Sequence, residues 1–166
     1  MAVLVGLKLL RVAPLITSTA GYMCAWDQQF AFSSWIDRGV PQEPAGAVLP
    51  HWFPAIFRKL IWVVSILHPL GGVLGLLNGI GSPGASLDDQ TRRLYFAGGL
   101  FAIGHLVYGK FAMRIIGSIW DSSLPGKTNL GALPPWLRLN WWRIHTNNLP
   151  AVLLFLAALV NAIEIR

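Results

Sequence analysis

Acidic side chains are scarce in this chain of 166 residues, with seven Asp and Glu against thirteen Lys and Arg and only 12% charged residues in all. So few charges cannot solvate the surface of a domain this long. Together with 54% hydrophobic residues and a mean hydropathy of +0.54, they indicate a polytopic membrane protein of one domain. Cysteine is nearly absent. The lone Cys24 excludes an internal disulfide and a cysteine metal cluster, and it reads as a small packing residue. There is no glycine-rich phosphate loop, HExxH pair or nucleophile elbow, which argues against nucleotide-driven or hydrolytic chemistry. No ligand pair at i, i+4 supports a metal site, and none is expected. The net charge of +6 is not accompanied by a solvated basic helix or a stacking module, so nucleic acid is not an expected partner. The basic residues are better read as gathered at membrane interfaces.

The apolar runs resolve into four spans, about 4–26, 53–80, 92–118 and 138–163, with an interfacial loop over 27–52. The expected fold is therefore an all-α membrane protein, a four-transmembrane-helix antiparallel bundle. The first run resembles a signal peptide in its charge followed by apolar residues. About 26 residues of helix can nevertheless cross the bilayer core with Lys8 and Arg11 snorkelling, and it is read as a span. Thr17, Gly21 and Ala25 recur at i, i+4 and permit close helix contact. In the second span Ser65, His68, Gly72, Gly75 and Asn78 to Gly79 form one small, slightly polar stripe, and Pro69 distorts the helix. Ser86 is an expected helix cap, with Asp88 and Asp89 in the turn that follows. In the third span His105 and Tyr108 share a face at i, i+3.

The fourth span is lopsided. Leu149–Ile163 carries one strongly polar side chain, Asn161, but these fifteen residues fall short of the ~20 that a bilayer core requires. The span must draw in the polar stretch Asn140–Asn148, whose amides, guanidinium and imidazole are costly in lipid unless they face a cavity or partners. Helix rise puts His145 roughly 11 Å, His105 roughly 18 Å and His68 roughly 22 Å from the loop side, so His68 and His105 can meet. The mouth of the bundle gathers Asp27, Arg58, Tyr108, Arg114, Asn140, Arg143, His145 and Asn148. That set suits an apolar molecule with phenolate or enolate character, its oxygens held by Arg and Asn while a His or Asp takes a proton. The structural alternative is that Arg143 pairs with Asp27 and the asparagines bond across helices. At ~100° per residue the polar stretch cannot face one way. Arg143 with Asn147 should share one face and His145 with Asn148 another. Because Arg143 can snorkel and His145 cannot, His145 and Asn148 are expected inward, with His105 as the deeper neighbour.

Trp136, Leu139, Asn140 and Arg143 followed by Leu149-Pro150-Ala151, together with STAGYMCAWDQQFAF and ILHPLGGVLGLLN, resemble the pattern of small fungal integral membrane proteins related to anthrone oxygenases. The resemblance implies a four-helix membrane protein of secondary metabolism, placed in the endoplasmic reticulum or another endomembrane. It further implies oxygenation of a hydrophobic aromatic polyketide with no established cofactor. An activated methylene would lose a proton and the carbanion would meet O2 as co-substrate. His145, His105 and Asp27 then become the catalytic candidates, with Arg143, Asn148, Asn140, Tyr108, Arg114 and His68 around the substrate. An oxygen-independent membrane cyclase or isomerase is one rival. A non-enzymatic carrier is the other, and it would add other biosynthetic enzymes to the partners.

Overall fold

The computed structural model describes residues 2–164. Among them there is no strand, and the helices are α1 (Ala2–Ser33), α2 (Gln42–Ile80), α3 (Asp89–Gly104), α4 (Gly109–Trp120), α5 (Gly126–Gly131), α6 (Leu133–Arg143) and α7 (Leu149–Glu164). A 3₁₀ turn, His105–Tyr108, joins α3 to α4, and a π turn, Ile144–Asn148, joins α6 to α7, so the chain makes four long helical runs. Three of these, Gln42–Ile80, Asp89–Trp120 and Thr128–Ile163, are long and apolar enough to cross a membrane. The stretch 27–52, expected as a loop, is helical except for a 3₁₀ turn and the bend over 37–41. Its prolines explain the misreading, because Pro44 falls within the first turn of α2, where no amide bond is lost, while Pro50 and Pro54 are absorbed inside it. Asp88, rather than Ser86, caps α3: its carboxylate accepts from the Thr91 amide at 3.0 Å and the Thr91 hydroxyl, which hold it below the usual carboxylate range. Ser86 instead accepts from Arg11 at 2.7 Å.

Each run buries one stripe. On α1 it is Pro14, Ser18, Gly21, Ala25, Gln28 and Phe32, alternating steps of four and three residues. Pro14 cannot donate to the Leu10 carbonyl, and Asn78 of α2 fills that place at 2.9 Å, while the Tyr95 hydroxyl of α3 donates to Arg11 O at 2.9 Å. The α2–α3 seam is closed by glycine. A Cβ on Gly99 would lie 2.9 Å from the Gly72 carbonyl oxygen and 3.0 Å from Leu76 N. α1 packs on α2, α2 on α3, and α7 on both α3 and α1.

Two apolar cores result. One, around Phe32, Leu49, Phe53, Ile116, Leu133 and Trp136, lies where the 34–41 and 121–132 connections meet. The other is built on Tyr95, Ala102, Ala151, Phe155 and Ala158 at the opposite end. Between them sits a layer of buried polar groups: Gln28, His68, His105, Asn140, Arg143 and Asn148. Buried polar groups cost free energy unless partnered, and this layer supplies many of its own partners.

Candidate active site

The site is assembled where two helical runs depart from α geometry. Pro150 has no amide to offer the Thr146 carbonyl, and the backbone before it loosens into the π turn, in which Leu149 N–H donates to Ile144 O. An i+5 repeat places Arg143 and Asn148 on one face, which uniform α spacing would not do. Opposite, the 3₁₀ turn stacks His105 and Tyr108 on one side at i, i+3. The two irregular turns then meet side chain to side chain. His105 Nδ1 lies 2.9 Å from Asn148 Oδ1, Tyr108 Oη 2.9 Å from Thr146 Oγ1, and Asn147 Nδ2 donates to Phe101 O at 3.3 Å.

The His105–Asn148 contact fixes chemistry as well as position. An amide oxygen only accepts, so Nδ1 of His105 carries the hydrogen and, in the neutral ring, Nε2 keeps its lone pair. Behind it lies His68, its ring parallel to that of His105 at 3.6 Å between centroids and 12° between planes. A Cβ on Gly21 would fall 2.8 Å from His68 Cε1, so the glycine makes room for this ring. The meeting of the two imidazoles expected from helix rise is therefore present.

His105 borders a cavity of about 190 Å³ whose walls are chiefly apolar, among them Phe57, Leu60, Val64 and Ile116. Its other polar groups are Gln28, Ser65 and Arg143, with Trp136 closing the floor. Arg143 is 5% exposed. Its Nη2 donates to Asn140 Oδ1, its guanidinium carbon stands 5.1 Å from the centre of the Trp136 ring, and its Nε has no hydrogen-bond partner. Asn140 is itself pinned by Nδ2 bonds to Ala25 O and Gln29 Oε1, both 2.9 Å. A cation so placed, with no carboxylate of the described residues beside it, is poised for an oxygen bearing negative charge.

Several sequence expectations are corrected. Arg143 points inward rather than snorkelling. His145 turns away from the cavity: its ring stacks on Trp141 at 4.1 Å and its Nδ1 lies 2.8 Å from Trp141 O. Asn148 is buried against His105 as expected, but the π turn pairs it with Arg143 rather than with His145. Asp27 is exposed, and the inward neighbour on α1 is Gln28. Arg114 is exposed too and borders a surface depression with Thr128 and Pro135 instead of the cavity. Asn140 and Tyr108 reach the site by holding Arg143 and Thr146. Gln28 and Trp136 were missed. Continuing the Thr17, Gly21, Ala25 stripe by three residues would have found Gln28. Among the described residues no group of three or more His, Cys, Asp or Glu side chains could hold a metal ion.

Three helices long and apolar enough to cross a membrane, and a polar layer buried among them, describe an all-helical protein with an internal cavity bordered by an imidazole. End to end, the sequence is related to fungal proteins. It is 33% identical over 157 residues to "Probable epoxidase scpX" of Mollisia scopiformis, covering 95% of this chain and 98% of the relative. It is 28% identical over 162 residues to "Epoxidase gkaX" of Penicillium citrinum, covering 98% and 99%. A third relative, "Epoxidase pydX" of an Acremonium species, is 29% identical over 157 residues, covering 95% and 96%. The chain belongs to the family these fungal epoxidases represent. No family model and no solved structure matches it.

Proposed function

We propose that this protein is a membrane-embedded tailoring enzyme of fungal secondary metabolism that oxygenates a hydrophobic substrate held in the 190 Å³ cavity. Its four helical runs then form an antiparallel transmembrane bundle in the endoplasmic reticulum or another endomembrane, with the bilayer as the source of substrate. The observation that carries the reading is the pairing, on one apolar cavity, of an imidazole with a fixed Nε2 lone pair and a buried arginine without a counter-charge. His105 Nε2 takes a proton from an activated C–H of the substrate, and Arg143 holds the oxygen on which the charge of the carbanion is delocalised. The carbanion adds O2 as a co-substrate and is protonated to a hydroperoxide, with the substrate itself supplying the electrons. Loss of water gives a ketone, as for an anthrone. Transfer of the outer oxygen to an alkene gives an epoxide and an alcohol, in keeping with the names of the relatives. Asn148 orients His105, and Asn140 with Trp136 orients Arg143.

The test is oxygen uptake by the purified protein in lipid nanodiscs with an anthrone, repeated with isotopically labelled O2 and under argon. Uptake with label in the product, lost in His105→Ala, is expected. Conversion under argon would establish an oxygen-independent cyclase or isomerase instead. Binding without turnover would indicate a carrier.

A further inference from the structure

The cavity is small for its task. Pockets that enclose a drug-sized ligand measure ~300–1,000 Å³, against about 190 Å³ here, so a molecule of more than about two rings must project from it. The seams of the fold differ in how tightly they close. From His68 to Gly79, α2 is zipped to its neighbours by glycine: Gly71 against Ser18 and Thr17 of α1, Gly72 and Gly79 against α3, and Gly75 against Phe155 of α7 and Gly99 of α3. Between Phe53 and His68, by contrast, α2 buries no residue at all. There the helix faces the 3₁₀ turn and α4 across bulky, half-buried side chains, with Phe57 meeting the Trp120 ring at 5.6 Å between centroids. The cavity residues on this seam, Ser65 on α2 and Leu106, Gly109 and Met113 opposite, are also exposed on the outer surface. A Cβ on Gly109 would meet nothing within 4 Å. Both lips continue into apolar surface, with Trp62 70% exposed and Ile66 55% exposed on one side, Val107 71% exposed and Phe111 59% exposed on the other. A patch of this kind at mid-helix faces acyl chains.

We infer that the α2–α4 seam is a lateral portal through which a membrane-dissolved, oxygen-headed apolar molecule reaches the cavity, head toward Arg143 and Gln28 and tail left between Ser65 and Gly109. Gly109 sets the width of the opening, and Leu106 and Met113 are its flexible jambs. The inference rests on the proposed function for the identity of the occupant but not for the route. Access from lipid suits a cavity whose walls are chiefly apolar, because a substrate partitioned into the bilayer need not cross water.

A diazirine fatty acid, whose carboxylate matches the buried cation and whose tail matches the portal, tests this in phosphatidylcholine nanodiscs. After photolysis, peptide mapping should place the label on residues 60–65 and 106–113. Gly109→Trp should lower that labelling by roughly tenfold. Gly117→Trp, on the same helix and also open to space, should leave it unchanged, and both variants should elute as folded protein. Arg143→Met should lower labelling at the seam as well, by removing the head group's partner. Labelling spread evenly over α2, α4 and α7, or equal seam labelling in Gly109→Trp and parent, would overturn the portal. Because the readout is labelling, a failed portal with turnover still lost in His105→Ala would leave the proposed function standing. Seam labelling without any turnover would do the reverse.

Discussion

Replacing Arg143 by methionine separates the two reasons a buried arginine can exist. In the parent the guanidinium is 5% exposed, donates to Asn140 Oδ1 and lies 5.1 Å from the Trp136 ring centre. Deleting it forfeits a charge-assisted hydrogen bond of ~1.5–3 kcal/mol and leaves Asn140 Oδ1 without its donor. It also forfeits a cation–π contact of ~1–2 kcal/mol. In the other direction, it removes a charge whose burial costs several kcal/mol even after relaxation, and a methionine of similar reach fills the space. The terms offset to within ~2 kcal/mol. At roughly 2–4 °C per kcal/mol for a chain of this size, the melting midpoint should stay within about 8 °C of the parent. Turnover, by contrast, should fall by ~10²–10³, the usual cost of removing a donor that stabilises developing negative charge. The assay pairs thermal unfolding in detergent, followed by tryptophan emission and size exclusion, with oxygen uptake on the same preparation. A midpoint lowered by more than about 12 °C would show that Arg143 is held for the fold. Unchanged turnover in a stable variant would remove it from the site.

Other substitutions probe the remaining steps. Asn148→Leu frees the His105 ring to change tautomer, so kcat should drop by up to roughly 10²-fold, less than for His105→Ala, with KM little changed; equal losses in both variants would show that Asn148 does more than orient. Asn129→Ala strips Nδ2 bonds from Ser118 O, Ile119 O and Asp121 O, at 2.9, 3.2 and 2.9 Å, and should cost ~1–3 kcal/mol in the melting midpoint. Gly99→Leu drives a side chain into the Gly72 carbonyl and should destabilise by ~1–3 kcal/mol or more, whereas Gly117→Ala, in open space, should gain up to ~1 kcal/mol of helix propensity. Arg114→Ala should leave turnover intact, since that side chain lies on the outer surface.

Composition and periodicity determined the helical class, three of the four expected membrane-crossing lengths and the faces of α2. A helix in lipid has to be apolar outside and small or polar inside, and that rule is written residue by residue, as in the His68, Gly72, Gly75, Asn78 stripe. The meeting of His68 with His105 was likewise legible, because helix rise converts residue count into depth. What the tertiary structure alone decided was which of the Asn140–Asn148 side chains face the cavity. A reading at 100° per residue assumes an unbroken α-helix. Pro150 removes one amide, and the single π turn that follows rotates Asn148 onto the Arg143 face while sending His145 to Trp141. One missing hydrogen bond thus redirected the face of the helix, and its form depended on the 3₁₀ turn it packs against. Neither turn is specified by its own segment: the two stabilise each other through His105–Asn148 and Tyr108–Thr146, contacts between residues 43 and 38 positions apart.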